Sequence, residues 1–318
     1  MKTKSKKIVS LILASFLLVS CQSQGENHFT DDDPLRLDLQ NEKLTILQLT
    51  DTHLSFGIDY NDQRTFKLIA ALVEYTNPDI VVFTGDQTMA PFGPQLFNRL
   101  CMEMDKLDVY WTFVFGNHDN DHSRYEDYFK FTDQYDKLLF KVGPELTEGG
   151  FGNFKIETYY DDTPFYQLYM LDTHSEVGGE MAYGWLSEAQ VNWYDTHAES
   201  DKSNDVKSSL FIHIPLIEYL DFTEEAAVDG VKGEGIYHQG MNTGLFDVIV
   251  EHGVTQGVFV GHDHLNNFSF LKENVLLAYG QASGYNGYGN TNKGGRLIEI
   301  DATKTMTTQL ILDTEVGV

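Results

Sequence analysis

The chain has 318 residues, of which 42% are hydrophobic and 22% are charged, an ordinary composition for a globular protein with a large core. Acidic residues outnumber basic ones 48 to 22, so the formal net charge is −26. Such a surface repels nucleic acids and anionic lipid headgroups, which disfavours a nucleic-acid partner. Phosphate chemistry stays open, because bound metal ions reverse the potential locally.

The beginning of the chain has the composition of a targeting segment. A basic stretch, residues 1–7, precedes a short apolar run, residues 8–19, and then Cys21. The segment resembles a bacterial lipoprotein signal, in which the cysteine carries lipid and becomes the mature first residue. We therefore predict a signal peptide over residues 1–20 and a lipid-anchored, extracytoplasmic protein of the bacterial cell envelope, bound to the membrane through Cys21. A plain secretory signal or a short membrane anchor is the alternative.

The remainder is predicted to be a tether followed by one domain. Residues 21–42 are polar and acidic with little apolar periodicity, which predicts a flexible tether. Residues 43–318 contain neither an internal repeat nor a linker, which indicates a single domain. The second cysteine, Cys101, lies in a helical pattern and is predicted to be a small buried hydrophobe.

Strands and helices alternate in the first part of this domain. Apolar runs at residues 44–50, 80–83 and 109–115 predict strands, and helical spacing at residues 62–77 and 94–107 predicts the helices between them. These lengths suit β-α-β units of about thirty residues. Such units build a parallel sheet with right-handed crossovers.

The later elements are less regular. A Tyr- and Phe-rich stretch at residues 122–140 predicts a helix, and Ser187 is the expected N-cap of another. The further predicted elements are strands 153–160 and 165–171, helix 187–199, strand 208–212, a Gly-rich loop at 221–241, helix 244–252, strand 257–260, and short strands at 268–272, 275–279, 296–300 and 306–312.

Polar clusters follow five of the predicted strands. They are Asp51 with His53, Asp86, Asn117 with His118, His213, and His262 with His264. In open α/β sheets, functional groups gather beyond the carboxyl ends of the strands. Mixed nitrogen and oxygen ligands suit Zn, Fe, Mn or Co rather than Ca or Mg. Seven ligands besides His118 exceed what one tetrahedral ion binds, and they fit two ions that share a carboxylate.

The ordered blocks resemble the motifs of the calcineurin-like metallophosphoesterases. The resemblance rests on Asp51-Thr52-His53, Gly85-Asp86, Gly116-Asn117-His118-Asp119, His213 and Gly261-His262-Asp263-His264, and it spans residues 44–270. It implies an α/β fold, a four-layer α-β-β-α sandwich of two mixed sheets with a dinuclear metal site at the carboxyl ends of the strands.

The resemblance also implies roles for these residues. One ion would be held by Asp51, His53, His264 and the bridging Asp86, and the other by Asp86, Asn117, His213 and His262. The two ions, divalent or mixed-valence Mn, Zn or Fe, would supply a bridging hydroxide as nucleophile. The resemblance makes His118 the general acid and gives Asp119 the task of orienting it.

One position departs from a related pattern. Purple acid phosphatases have a tyrosine three residues after the aspartate of the second block, where it binds ferric iron, and this chain has Met89 there. Residues 211–215, 261–266 and 284–289 resemble a branch of those phosphatases that lacks the tyrosine. A ferric-tyrosinate chromophore is therefore not expected.

A few further residues have two readings. His174 also follows a predicted strand. The resemblance implies a position in the pocket wall for it, although a structural role is as common. Tyr285 and Tyr288 either line the pocket or pack in the core, and Asp263 is expected to support a turn.

The predicted function is hydrolysis of a small phosphorylated substrate, with phosphomonoesters favoured. The alternatives are a phosphodiesterase acting on small diesters such as cyclic nucleotides, and a non-catalytic surface binding lipoprotein on the same fold.

Overall fold

The computed structural model describes residues 28–175 and 183–318. Its strands are β1 (Leu35–Asp38), β2 (Leu44–Leu49), β3 (Ile80–Thr84), β4 (Tyr110–Val114), β5 (Phe154–Tyr160), β6 (Thr163–Met170), β7 (Lys207–Phe211), β8 (Ala227–Asp229), β9 (Thr255–Val260), β10 (Ser269–Lys272), β11 (Val275–Tyr279), β12 (Gly294–Ile300) and β13 (Met306–Leu312). Its α-helices are α1 (Tyr60–Thr76), α2 (Gly93–Asp105), α3 (Glu126–Thr132), α4 (Glu188–Ser203), α5 (Leu245–His252) and α6 (Asp313–Val316).

The strands form two mixed sheets. An eight-stranded sheet has the order β1-β5-β6-β7-β9-β11-β10-β8, and a five-stranded sheet has the order β13-β12-β2-β3-β4. β2, β3 and β4 are parallel, as the β-α-β spacing predicts, whereas β12 and β13 join antiparallel. The predicted architecture of two mixed sheets with helices is confirmed.

Three apolar cores hold four layers together. Side chains of both sheets, such as Ile46, Val82 and Phe259, share the middle core. The outer face of the five-stranded sheet packs on α1 and α2, and that of the eight-stranded sheet packs on α4 and α5. Because the parallel strands are covered on both faces, every residue of β2 and β3 is buried.

Local sequence explains where the helices begin. The Asp59 side chain accepts hydrogen bonds from the amides of Asn61 and Asp62 at the start of α1. Ser187 is the predicted N-cap of α4, and it forms a capping box with Gln190. Cys101 is fully buried in the outer core, as expected.

Two predicted segments differ from the structure. Part of the proposed tether is wrong, because Leu35–Asp38 forms β1 and pairs in parallel with β5, with Leu37 buried. The helix expected over residues 122–140 is limited to α3. Beyond it the chain runs beside β4, where the amide of Leu139 donates to the carbonyl of Trp111 at 2.8 Å, and Phe140 stacks on Phe113 at 4.5 Å. The aromatic pattern there serves packing against a strand.

The loop predicted at residues 221–241 also contains regular structure. Short 3₁₀ helices, Ile217–Asp221 and Glu224–Ala226, lead into β8 at the edge of the large sheet. Its glycines and polar residues gave no periodicity from which β8 could be predicted.

The predicted signal peptide and Cys21 lie outside the described residues. Within residues 28–175 and 183–318, no helix combines the length and the apolar character needed to cross a membrane.

An ion pair between a buried arginine and a partly exposed aspartate links the two sheets. Arg296 of β12 is fully buried, and its guanidinium donates two hydrogen bonds to the carboxylate of Asp229 in β8, at 2.8 and 3.2 Å. The same guanidinium donates to the carbonyls of Tyr279 and Asn267 at 2.8 and 2.7 Å. Nη1 also donates to Oγ1 of Thr308 at 3.1 Å, so all five N–H groups of this guanidinium are used. These bonds hold the edge strand β8 in place.

Asp229→Ala should destabilise the fold strongly. Removing the carboxylate leaves a buried guanidinium without its counter-ion, which costs about 3 kcal/mol or more. Urea unfolding followed by circular dichroism measures the loss.

The matched control for this change is Asp162→Ala, since Asp162 makes a surface ion pair with Arg36 and its side chain is 92% exposed. It should cost less than about 1 kcal/mol. Equal losses in the two variants would contradict the role given to the pair of Arg296 and Asp229.

Candidate metal centre and substrate pocket

The five predicted blocks meet at one edge of the sandwich. Asp51, Asp86 and Asn117 follow β2, β3 and β4 of the small sheet, while His213 and His262 follow β7 and β9 of the large sheet. Each stands two or three residues beyond the end of its strand. Both sheets therefore contribute side chains to one site.

The backbone at this edge adopts an uncommon conformation. Asp51, His53, Asp86 and His262 have positive φ angles of 53°, 42°, 53° and 78°. Left-handed backbone costs a residue with a side chain roughly 1–2 kcal/mol. Such strain clusters at functional sites, where the surrounding structure imposes it. Here the sharp turns aim the side chains inward.

The first group of candidate ligands is Asp51, His53 and His264. One ligand atom from each lies within 4.8 Å of the others. Nε2 of His53 is 2.9 Å from Nε2 of His264, and Nε2 of His264 is 3.5 Å from Oδ1 of Asp51. All three side chains are buried, so their polar atoms face one another rather than solvent.

The second group adjoins the first through Asp86. Asp51, Asp86 and His213 also bring ligand atoms within 4.8 Å. Nε2 of His213 lies 3.3 Å from Oδ2 of Asp86 and 3.0 Å from Oδ1 of Asn117. Oδ2 of Asp86 is also 3.4 Å from Nε2 of His53. This oxygen therefore faces both groups, as a bridging ligand must.

His262 completes the set of seven. Its ring lies 5.1 Å from that of His213, centroid to centroid. Its Nε2 is buried and has no hydrogen-bond partner among the residues that the structure describes. An orphaned buried nitrogen costs free energy unless something binds it, and an imidazole nitrogen is a common ligand of transition metals.

Backbone carbonyls orient two of the imidazoles. Nδ1 of His213 donates to the carbonyl of Thr84 at 2.7 Å, and Nδ1 of His264 lies 3.3 Å from the carbonyl of Tyr288. A hydrogen bond at Nδ1 turns the Nε2 lone pair inward, which is the usual support of a metal-binding histidine. The residues present therefore fit a pair of metal ions.

The ionisation of the carboxylates fits the same chemistry. Burial alone would raise the pKa of Asp51, but the imidazoles of His264 and His213 lower it to about 2. Burial likewise opposes ionisation of Asp86, yet His213 and His53 hold its pKa well below the usual range. Both carboxylates are thus charged at neutral pH, as metal ligation requires.

The histidines divide into two kinds. Burial lowers the pKa of His53 to about 4, and burial with the neighbouring His213 lowers that of His262 to about 3. Burial would also lower the pKa of His213, but the charge of Asp86 raises it to about 10. Lowered pKa values favour the neutral form of His53 and His262, which is the form that binds metal, whereas a metal ion at His213 would displace a proton.

His118 stands at the mouth of this site. Its amide donates to Oδ1 of Asp86 at 2.8 Å, and its ring lies 5.4 Å from that of His53. Nδ1 is 2.7 Å from Oδ2 of Asp121, and the His118 side chain is 37% exposed. Burial would lower its pKa, but the charges of Asp86 and Asp121 raise it above the usual value. The imidazole is therefore protonated more readily than a free histidine.

Asp119, which the resemblance assigns to orienting His118, has hydrogen-bond partners other than the imidazole. The Asp119 carboxylate is buried and accepts hydrogen bonds from the amides of Thr88 and Gly116, both at 2.9 Å. Burial and the charge of Asp86 raise its pKa to about 7. Asp119 fixes the turn, and Asp121 is the residue that holds the imidazole.

A pocket of about 660 Å³ opens above the candidate ligands. His118 and Met89 line it, and so do Tyr183, Tyr237 and Tyr288. Met89 occupies the place that the comparison with purple acid phosphatases gives to a tyrosine. A sulfur-containing side chain thus borders the pocket there.

Three of the ambiguous residues are now resolved. Tyr288 lines the pocket, whereas Tyr285 donates to Oδ2 of Asp313 at 2.9 Å and packs in the core. Nε2 of His174 lies 3.2 Å from Oε1 of Gln190, at the start of α4, which places this histidine in a structural contact instead of the pocket wall.

The sequence did not reveal the residues of the opposite wall. Glu234 and Tyr237 come from the loop after β8, and Oδ1 of Asn266 accepts hydrogen bonds from the amides of Gly233 and Glu234. Oδ2 of Asp263 accepts from the amide of Tyr237 at 3.2 Å. Asp263 thus supports a turn, as expected. The hint that the sequence offered for this wall was a single carboxylate, Glu234, among glycines.

Known proteins are similar to this chain in sequence. The chain is 26% identical to "Probable inactive purple acid phosphatase 14" of Arabidopsis thaliana, over 96% of this chain and 87% of the relative. It is 29% identical to "Phosphatase DCR2" of Saccharomyces cerevisiae, over 75% of this chain and 47% of the relative. The plant relatives match the predicted purple acid phosphatase branch, which is confirmed.

Solved structures share the architecture. A dimetal phosphatase from Danio rerio superposes with a TM-score of 0.58 at 13% identity, covering 84% of this chain and 95% of that chain. A purple acid phosphatase from yellow lupin seeds superposes with a TM-score of 0.52 at 13% identity, covering 87% and 52%. At this identity the likeness shows the fold alone.

The predicted location in a bacterial cell envelope is wrong by this comparison. The curated relatives come from Arabidopsis thaliana and from yeasts, which argues against a bacterial lipid-anchored protein.

A family model for calcineurin-like phosphoesterases matches residues 44–266. The matched residues include all seven candidate ligands and His118. Because the match spans more than two thirds of the chain, this protein belongs to the calcineurin-like phosphoesterase family.

Proposed function

We propose that this protein is a metal-dependent hydrolase of small phosphate esters, with phosphomonoesters as its main substrates. The observation that carries the proposal is the complete set of seven ligand groups at one edge of the sandwich. Five of them line one pocket, which has a partly exposed histidine at its mouth. A chain that had lost this chemistry would be expected to lack some of these groups.

The ligands named above would hold two transition-metal ions. Such ions, when bound, neutralise phosphoryl charge and make water more acidic. Asp51 and Asp86 supply the negative charge that attracts cations into a buried site. Asp86 also accepts the His118 amide, so the residue that meets the substrate is positioned by a metal ligand.

His118 acts on the leaving group. With Nδ1 held by Asp121, Nε2 is the nitrogen free to donate a proton to the departing oxygen. Proton donation matters most for alkyl esters, whose leaving alkoxides are strongly basic. Asp121 stabilises the protonated imidazole and fixes its orientation.

A second candidate function comes from the names of relatives. Three Arabidopsis relatives are called "probable inactive" purple acid phosphatases, which favours a binding protein without catalysis. Purified protein that contains no metal and remains inert after addition of Mn, Zn or Fe would support this candidate.

Metal analysis and a substrate comparison test the proposal. Protein loaded with Mn, Zn or Fe should release phosphate from aryl phosphate faster than it cleaves bis-aryl phosphate. Faster cleavage of the bis-aryl compound would instead favour the phosphodiesterase alternative.

Asp86→Asn should lose bound metal. The variant removes the charged oxygen that lies between His53 and His213, so neither ion keeps its shared ligand. Elemental analysis of the purified protein measures metal per chain. Asp121→Asn is the matched control, since it makes the same chemical change outside the seven ligands and should retain metal.

His118→Ala should lower turnover by about 10²–10⁴-fold while metal content stays near that of the unaltered protein. Its loss of rate should be larger for an alkyl phosphate than for para-nitrophenyl phosphate, because the nitrophenolate leaves without protonation. Loss of metal in this variant would show that His118 has been wrongly assigned to the substrate.

A further inference from the structure

One side of the pocket is built from tyrosine rings beside the last two histidines. Tyr288 stacks on His264, with centroids 4.0 Å apart and the ring planes at 11°. Tyr183 meets His262 edge to face at 4.4 Å, and Tyr237 lies 6.2 Å from Tyr183. The Tyr237 and Tyr288 side chains remain 39% and 51% exposed, so they offer surface to a ligand.

A carboxylate is fixed among these rings. Oε1 of Glu234 accepts hydrogen bonds from the amide of Leu265 and from the hydroxyl of Tyr288, both at 2.8 Å. Two donors on one oxygen hold this side chain at the pocket and leave its other oxygen for a further contact. We call Glu234, Tyr183, Tyr237 and Tyr288 the tyrosine wall.

The charge of the pocket is one-sided. Among the described residues that line it there is neither a lysine nor an arginine. Apart from the candidate ligands and His118, the lining side chains are therefore either negatively charged or neutral. A leaving group with phosphates or carboxylates of its own would therefore meet Glu234 without a compensating cation. The tyrosine wall therefore favours a leaving group that carries a positive charge.

Aromatic faces and a carboxylate together recognise alkylammonium groups. A cation is attracted to the electron-rich face of a tyrosine, and the attraction grows when water is displaced. The phosphoryl end of a substrate belongs at the candidate ligands, next to His262 and His264. The same two histidines contact the tyrosine wall, so a short leaving group would reach it.

Resting on the function proposed above, we propose that the tyrosine wall selects phosphate monoesters of small cationic amino alcohols. Glu234 pairs with the ammonium charge and the tyrosine rings surround its methyl or methylene groups. This assigns the substrate class through the leaving group, which the metal ligands do not distinguish.

The test compares two esters of the same shape. Phosphocholine carries a quaternary nitrogen, and 3,3-dimethylbutyl phosphate carries a carbon at that position. The metal-loaded protein should cleave phosphocholine with a kcat/KM about tenfold higher, as one cation–π contact and one partly exposed ion pair would give. Equal kcat/KM values would overturn the inference.

Two variants test whether the tyrosine wall is the source of the phosphocholine preference. Glu234→Gln removes the charge and keeps the shape, and Tyr237→Leu removes an aromatic face and keeps an apolar side chain. Each should lower the phosphocholine preference by about threefold or more. Preference unchanged in both variants would also overturn the inference.

Matched controls lie on the surface away from the pocket. Glu224→Gln makes the same change of charge, and Tyr75→Leu the same change of ring, at exposed positions. Both should keep the full preference. Loss of the phosphocholine preference in these controls would mean that net charge or general stability determines it. That outcome would contradict the role given to the tyrosine wall.

Calorimetric binding separates this inference from the proposed function. If no ester is hydrolysed but phosphocholine still binds about tenfold more tightly than its neutral analogue, the wall is correct and the hydrolase proposal fails. If both esters are hydrolysed equally, the hydrolase proposal stands and the wall fails.

Discussion

The site depends on the placement of one carboxylate, that of Asp86. Its Oδ2 lies 3.4 Å from His53 and 3.3 Å from His213, while its Oδ1 accepts the amide of His118. The two groups of candidate ligands and His118 therefore share a single side chain. Glycines on both sides make room for it: a Cβ at Gly85 would lie 2.3 Å from His213, and one at Gly116 would lie 2.2 Å from Asp86. No larger residue fits either position without moving the centre.

This crowding of charge requires a rigid scaffold. Carboxylates and imidazoles within a few ångströms of one another would drift apart or draw in water on flexible loops. Instead they stand directly beyond strands buried on both faces, and each turn is held by hydrogen bonds to its neighbours, as when the amide of Asp51 donates to the carbonyl of Gly85. The left-handed backbone at Asp51 and Asp86 is tolerated because packing on both sides leaves no alternative.

The sequence was sufficient for the parts of the site that follow from local chain geometry. An apolar run that ends in a turn with polar residues predicts both a strand and the side chains at its end, so all seven candidate ligands could be proposed without coordinates.

Asp119 shows that a neighbour in the sequence need not be a contact in the structure. It follows His118 directly, but the turn directs its carboxylate to backbone amides and brings Asp121, three residues beyond His118, to the imidazole. Of the tyrosine wall, only Tyr288 was a candidate for the pocket in the sequence. The wall as a whole could not be predicted, because Glu234 and Tyr288 meet only through the tertiary fold. β1 was missed for the same reason, since its pairing with β5 is long-range.

The phosphoryl end and the leaving-group end of the pocket have opposite electrostatic requirements. A phosphoryl group is anionic, and a protein with a formal charge of −26 and no lysine or arginine among the described pocket residues offers it little. Positive charge at the phosphoryl end must then come from His118 and from the cations that the buried carboxylates attract. The leaving-group end keeps the negative character of the rest of the surface. A pocket polarised in this way orients a substrate whose two ends differ in sign, and it disfavours one that is negative throughout. Under the function proposed above, affinity for the phosphoryl end would depend on metal loading, whereas discrimination at the other end would depend on Glu234 and the rings around it.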